Sequence, residues 1–359
     1  MSNDEIVQGL TRVFSAMNAG GRAEEALEIQ EPLALFLSLD RYPIIHKNVG
    51  FETCLSFVVM SEILMMNLAR LREAQRYVAL FNRLAVGHKV SSELINMHGY
   101  NEIEIDIRTG NYISALKKID NWLSKSVTVE VRTRLLFKKG VIENAFQGDE
   151  GKINSLSYAL ACAEESKNER EVAQVYQEMA AMFGIKHPAL GMSMLRKAEN
   201  YYLRLGRKEE HIGAMLYRAR SCIAVINRYW GKTELLECFT HEANAIVDSI
   251  REDDLKNKSL VAYYNWTKGI VKFQLEPIDK SLDYFINAEA PGNICHIAEH
   301  AIWIAMQNGE KQKAKDYLEL YKKYAVRIED GLYAKRMEIY ERIKREIEDG
   351  LEKEAQRVN

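Results

Sequence analysis

The sequence predicts an all-α protein, an α-α superhelix of about eight helix pairs closed by a C-terminal capping helix. Three observations carry this. Apolar residues recur at three-to-four spacing almost throughout, and strand-like alternation is essentially absent. Only 5 of the 359 residues are proline, which suits long uninterrupted helices because proline is costly inside them. The pattern Gly-x-x-x-x-Ala recurs between helix-length segments, at Gly21–Ala26, Gly110–Ala115 and Gly309–Ala314. In each copy the glycine tolerates the left-handed conformation that ends a helix, and the alanine lets the next helix pack close. A repeated helix-turn-helix unit marks a solenoid, which grows by adding repeats and escapes the size limit of a single core.

In chain order, the first pair is predicted over Asp4–Asn18 and Ala23–Leu39, joined by a Gly20-Gly21 turn. A loop over 40–48 holds Pro43. The second pair covers Phe51–Leu68 and Arg70–Val86, and the third Ser92–Thr109 and Ile113–Ser124, with Gly110 between its members. Then follow Val129–Phe146 with Lys152–Ser166, Glu169–Phe183 with Pro188–Leu205, and Lys208–Trp230 with Lys232–Arg251. The last two pairs are Leu255–Leu275 with Ile278–Ala288, and Ile294–Asn308 with Lys311–Val326. Pro32, Pro43, Pro188, Pro277 and Pro291 are read as breaks between these elements. Residues 1–330 thus form the solenoid. Residues 331–359 form a charged capping helix, where Glu338 precedes Arg342, and Glu341 Arg345, by four residues.

Composition limits the function. With 49 basic against 51 acidic residues the net charge is -2, and direct nucleic-acid binding usually needs a basic excess. Cys54, Cys162, Cys222, Cys238 and Cys295 are scattered and form no Cys-x-x-Cys, which points to a reducing compartment. No signal peptide is expected at the N-terminus, and the most apolar stretch, Phe57–Leu68, is too short to span a bilayer. A cytoplasmic protein without a membrane partner is expected.

The sharpest chemical motif is His296-Ile297-Ala298-Glu299-His300, an H-x-x-E-H pattern. On a helix its two histidines share a face and are weak candidates for a zinc site, with Glu299 to activate water. Nothing marks a third ligand, and the α+β fold of such peptidases is not expected here. Cys238 and His241 are a second weak pair. The nucleophile elbow, the phosphate-binding glycine loop and the dinucleotide fingerprint are all lacking. The reading is therefore non-enzymatic, with no cofactor and no resident metal; a zinc-dependent hydrolase is the remote alternative.

The helix pairs resemble tetratricopeptide repeats. Ser281, Phe285 and Ala288 carry that motif best, with Gly269 as the small residue of the preceding helix; Leu156, Leu160, Ala163 and Ala74, Val78, Phe81 keep its spacing. The small position recurs near 26, 74, 115, 156, 191, 236, 281 and 314, mostly at more than the 34 residues of the repeat proper. In size and in irregular, long repeats the chain resembles the cytoplasmic peptide-receptor regulators of bacteria and phages, arbitrium receptors among them. Members that bind DNA begin with a helix-turn-helix domain, for which the first two helices here leave too little room.

The resemblance implies a concave groove lined by the first helix of each pair. Aligned on the small positions, its lining residues are Tyr100, Asn101, Glu104 and Arg108, then Lys138 with Arg134, then Tyr176 and Gln177. Arg218, Arg220, Asn227 and Arg228 follow, then Tyr263 and Trp266, then His296, Glu299 and Trp303. Asparagine suits a peptide backbone, arginine a carboxylate and an aromatic ring an apolar side chain. The implied function is an adaptor or regulator holding a peptide or protein; the alternative is a scaffold subunit of a larger complex. A homodimer is expected through the apolar stripe Ile6, Leu10, Val13 and Phe14.

Overall fold

The computed structural model describes residues 2–19, 22–37, 49–68, 70–125, 127–146, 153–183, 187–228, 233–328, 337–345 and 347–348. Among them every regular element is helical. The chain divides into two compact units: Met1–Asn111, to which the turn Asn287–Ala290 also belongs, and the remainder from Tyr112 onward. The division falls inside the Gly110–Ala115 motif.

The first unit contains α1 (Asn3–Ala19), α2 (Ala23–Phe36), α3 (Phe51–Asn67), α4 (Leu71–Ala85) and α5 (Ser92–Thr109). Helices α1, α3 and α5 pack side by side, and α2 and α4 lie against them. Spacing explains the packing. Val7, Thr11, Phe14 and Asn18 recur at helical period on α1 and are buried, with Phe14 set edge-on to Phe57 of α3 at 5.8 Å. Helix α3 contacts α1, α2, α4 and α5, so its apolar residues run round the helix: Cys54, Leu55, Phe57, Val58, Val59, Leu64 and Met65 are all buried. At the end of α5, Gly110 takes φ +86° and closes the helix in the left-handed conformation.

The second unit contains α6 (Tyr112–Leu123), α7 (Val129–Phe146), α8 (Ile153–Glu165), α9 (Glu169–Phe183), α10 (Pro188–Arg204), α11 (Lys208–Arg228), α12 (Thr233–Ser249), α13 (Lys258–Lys272), α14 (Leu275–Asn287), α15 (Pro291–Gln307) and α16 (Lys311–Ala325). Helices α7, α9, α11, α13 and α15 follow one another in a layer, each packed on the next. Their partners α8, α10, α12 and α16 pair with α7, α9, α11 and α15. This two-layer order is the helical-repeat solenoid expected from the sequence. The best-matching repeat is buried at all three positions, Ser281, Phe285 and Ala288. Its glycine is equally required: a Cβ on Gly269 would lie 2.5 Å from Ile278 Cγ1 and 2.9 Å from the Gln274 carbonyl oxygen.

Three prolines sit at helix starts. Pro188 and Pro291 open α10 and α15, and Pro277 lies in the first turn of α14, where no intrahelical N–H is needed. Pro32 is not a break but lies inside α2, which runs on to Phe36 as the expected helix Ala23–Leu39 implied. Its ring removes one hydrogen bond to the preceding turn, and the helix ends within one more turn. Pro43 lies outside the described residues. The expected helix Leu255–Leu275 is also shorter. A 3-10 turn spans Glu252–Asp254, and α13 begins after Asn257, whose side-chain oxygen accepts from the Ser259 and Leu260 amides at 2.9 and 3.3 Å. It ends at Phe273 in the left-handed conformation, φ +54°. Within the expected capping helix, residues 337–345 are helical; Tyr340 and Ile347 are buried, and the Lys322 ammonium of α16 lies 5.3 Å from the Tyr340 ring. The rest of 331–359 lies outside the described residues.

Candidate binding site

All four groove residues expected in the first unit, Tyr100, Asn101, Glu104 and Arg108, lie on α5, and the last three are tied to partners within that unit. Arg108 donates from Nε to Glu104 at 2.9 Å and from Nη1 to the Met66 carbonyl at 3.0 Å, tying α5 to the last turn of α3. Asn101 is 5% exposed and donates to Glu62 Oε2 at 2.9 Å. Tyr100 is half-buried. Glu62 itself is fully buried and faces His98 Nδ1 through Oε1 at 2.8 Å, while His98 Nε2 donates to Asn82 Oδ1 at 3.1 Å. The His98 ring stacks on Phe81 at 3.9 Å. Burial pushes the Glu62 carboxyl above its ordinary pKa; the hydrogen bond and charge of His98 oppose that shift. This network holds three helices together from inside and presents little to a partner.

In the second unit the expected residues separate into those that join helices and those that face one another. Tyr176 of α9 stacks on Tyr201 of α10 at 6.3 Å and lies under the Lys197 ammonium at 5.0 Å. Lys138 is half-buried over Phe137 at 5.6 Å, and Trp303 of α15 lies 4.9 Å from Phe273. Arg218 of α11 bridges both neighbouring helices. It grips Glu199 of α10 through Nε and Nη2, at 2.6 and 3.0 Å, and pairs through Nη1 with Glu242 of α12. Burial works against its charge, but the two carboxylates outweigh it and raise its pKa. The side chains of Asn227 and Arg228 lie outside those described.

Arg220 stands two residues on from Arg218. Two residues turn a helix by about 200°, so Arg220 points away from Glu199 and Glu242. Its guanidinium lies 4.7 Å from the Trp266 ring, 5.6 Å from Tyr263 and 5.4 Å from Tyr217, and Nη1 donates to Thr267 Oγ1 at 2.8 Å. Among the described residues it meets no carboxylate. Burial among the rings pulls its pKa below the ordinary arginine value. Tyr263 is fixed from both sides, edge-on to Phe285 at 5.2 Å and taking a hydrogen bond from Asn293 at 3.0 Å. Trp266 meets the His300 ring of α15 edge-on at 5.7 Å, and its buried indole N–H has no acceptor among the described residues. Of the expected groove residues, then, α11 and α13 bring Arg220, Tyr263 and Trp266 into one cluster.

The cluster also holds Tyr217, Thr267 and His300, which the groove alignment did not select. The sequence signal for two of them is weak but present: Tyr217 precedes Arg220 by three residues, and Thr267 follows Tyr263 by four, so each shares a helix face with its neighbour. As for the H-x-x-E-H motif, His296 is exposed, and His300 Nδ1 donates to the His296 carbonyl at 2.7 Å. Among the described residues no three His, Cys, Asp or Glu side chains converge on a point.

No protein-family model matches the sequence, and no curated protein does. Solved structures do match. The Rap conjugation gene regulator of the plasmid pLS20, in complex with a Phr peptide, superposes with a TM-score of 0.53 at 10% identity, covering 97% of this chain and 98% of that one. The chain shares the fold of a Rap protein. A second Rap protein, complexed with competence and sporulation factor, covers 96% of this chain and 99% of its own at 13% identity, with a TM-score of 0.48. That likeness agrees with the helical-repeat architecture and with the absence of strands among the described residues.

Proposed function

We propose that this chain is a non-catalytic regulator that binds a peptide or protein on the helix layer α7, α9, α11, α13 and α15. One observation carries the reading: Arg220 is a half-buried cation held between aromatic rings without a carboxylate among the described residues, while Arg218, on the same helix, has two. A charge left in that state is unfavourable for folding alone, so the chain has kept it for another purpose. The Rap regulator of pLS20 was solved with a peptide, and the shared fold supports the same kind of ligand here. The free cysteines, with burial pushing Cys54 up to about 11 and Cys222 up to about 12, are suited to a reducing cytoplasm. No described helix is long and apolar enough to cross a membrane.

The test is selection of a phage-displayed peptide library on the immobilised protein, followed by affinity measurements on the selected peptides. Arg220→Ala is expected to weaken binding at least about tenfold, since loss of one partner of a buried charge contact costs roughly 2–5 kcal/mol. Trp266→Ala should do the same through lost anchor area. Unchanged affinity in both variants, with intact helicity, would end the assignment of this cluster.

Leu10 and Val13, at 37% and 47% exposure, leave part of the α1 stripe uncovered, while Phe14 is buried on α3. A second copy of the chain suits that strip. Light scattering at micromolar concentration should give the mass of two chains, reduced to one by Val13→Glu; a single-chain mass for the unaltered protein would refute the dimer.

A further inference from the structure

The Arg220 cluster defines what it can hold. We infer that it is a receptor for one carboxylate carried next to an N–H group, as at a peptide C-terminus or on an Asp or Glu side chain. The inference rests on the binding role proposed above and adds the chemistry of the ligand.

The donors come first. Thr267 gives its own hydroxyl hydrogen to the Tyr263 carbonyl at 2.7 Å, so toward Arg220 it can only accept, and it takes one of five N–H groups. Among the described residues no acid pairs with this charge: the groups that act on it electrostatically are Tyr217 and Tyr263, and Glu178 acts on Tyr217. Glu299, beside His300 in sequence, has a partner of its own. The second donor is the Trp266 indole N–H. With the guanidinium 4.7 Å from the ring, one carboxylate can reach both, because its oxygens with two hydrogen bonds span roughly 6–7 Å.

The acceptor is His300. Its Nδ1–H is committed to the His296 carbonyl, so Nε2 carries the lone pair. Burial, with the Arg220 charge nearby, lowers its pKa and keeps the ring neutral near pH 7. Among the described residues the wall therefore offers one positive charge, an indole donor and one neutral acceptor, flanked by the rings of Tyr217 and Tyr263. A single charge matches a carboxylate monoanion. A phosphate ester is close to a dianion near neutrality and would need a second cation. A cationic ligand would meet Arg220 unscreened.

The test uses four capped dipeptides at millimolar concentration: acetyl-Leu-Ala with a free C-terminus, acetyl-Leu-Asp amide, acetyl-Leu-Asn amide and acetyl-Leu-phosphoserine amide. Binding is read from the indole N–H resonance of Trp266, assigned with Trp266→Phe. At least one acid should shift it and bind at least about tenfold tighter than the Asn amide, as one charge-assisted contact predicts. Which acid does so separates a chain end from a side chain. Arg220→Gln should erase the preference. The inference is overturned if the Asn amide binds as well as both acids, if the phosphopeptide binds tightest, or if Arg220→Gln keeps the preference. Should that variant not fold, the four ligands on the unaltered protein still decide. Library peptides that bind through Trp266 without an acidic group or free carboxylate would leave the binding role standing and remove only this inference.

Discussion

Glu62→Ala is expected to destabilise the first unit by about 3–5 kcal/mol, the usual loss when one member of a buried charged pair is removed. The carboxylate serves two buried neighbours, His98 and Asn101, at 2.8 and 2.9 Å. Without it His98 Nδ1 loses its partner, Asn101 keeps only the Val59 carbonyl at 3.5 Å, and a cavity opens on α3. Glu62→Gln preserves the shape and should cost less. The two variants also separate a pH effect. Because the folded carboxyl has a raised pKa, the folded chain holds this proton more tightly than the unfolded one. Its contribution is complete below the ordinary glutamate value, about 4.3, and is lost as pH rises through the raised value. Relative to Glu62→Gln, the wild type should lose stability over that interval. Hydrogen exchange of α3 and α5 amides measures both effects; a loss below about 1 kcal/mol for Glu62→Ala would mean that the network does not support the unit.

Gly269→Val is expected to cost the second unit about 3 kcal/mol or more. A Cβ there would meet the Ile278 side chain at 2.5 Å and the Gln274 backbone oxygen at 2.9 Å. The isoleucine can shift, but the carbonyl is held, since Gln274 closes the end of α13 by donating its own amide to the Gly269 carbonyl at 2.9 Å. Overpacking of this kind costs typically 1–3 kcal/mol, and a β-branched side chain adds to it. Adding Ile278→Ala should recover part of the loss. Gly213 on α11 is the contrast, for a Cβ there meets nothing within 4 Å. Gly213→Ala should stabilise by roughly 0.8–1.0 kcal/mol, the ordinary helix preference of alanine over glycine. Thermal unfolding of the three variants tests the pair; equal shifts for Gly269→Val and Gly213→Ala would remove close helix contact as the reason for the repeat glycine.

The helices were legible because their signals are local. Periodicity, Gly110 and the prolines at helix starts place most ends within a few residues. Pro32 was read as a break although the helix Ala23–Leu39 was read across it, and the start of α13 was not legible. In the first case, packing of Leu33 and Ala34 keeps a helix going past a residue that opposes it; in the second, Asn257 caps a helix inside an apolar run. The site was legible by residue type and not by direction. Arg218 and Arg220 look alike in sequence, and only the rotation of α11, together with acids on α10 and α12, separates a helix clamp from an open cation. His300 belongs to the cluster because α15 packs beside α13, a relation between repeats that no single repeat encodes. Asn101 was selected for a groove by its place in α5, but its partner Glu62 lies on another helix.

The pairing around His98 gives the first unit a built-in clock. Its Nε2 hydrogen is committed to Asn82, and one further proton is held between Nδ1 and Glu62, whichever atom carries it, with Phe81 across the ring face. Asn82 is exposed, so the Nε2 hydrogen lies nearer to water, whereas the proton at the fully buried Glu62 is shielded until α3 and α5 part. Its lifetime in heavy water therefore measures how often these two helices open, through a side chain rather than the backbone. A ligand bound at Arg220 that slowed this exchange would reveal communication between the units, by a signal that belongs to one of them alone.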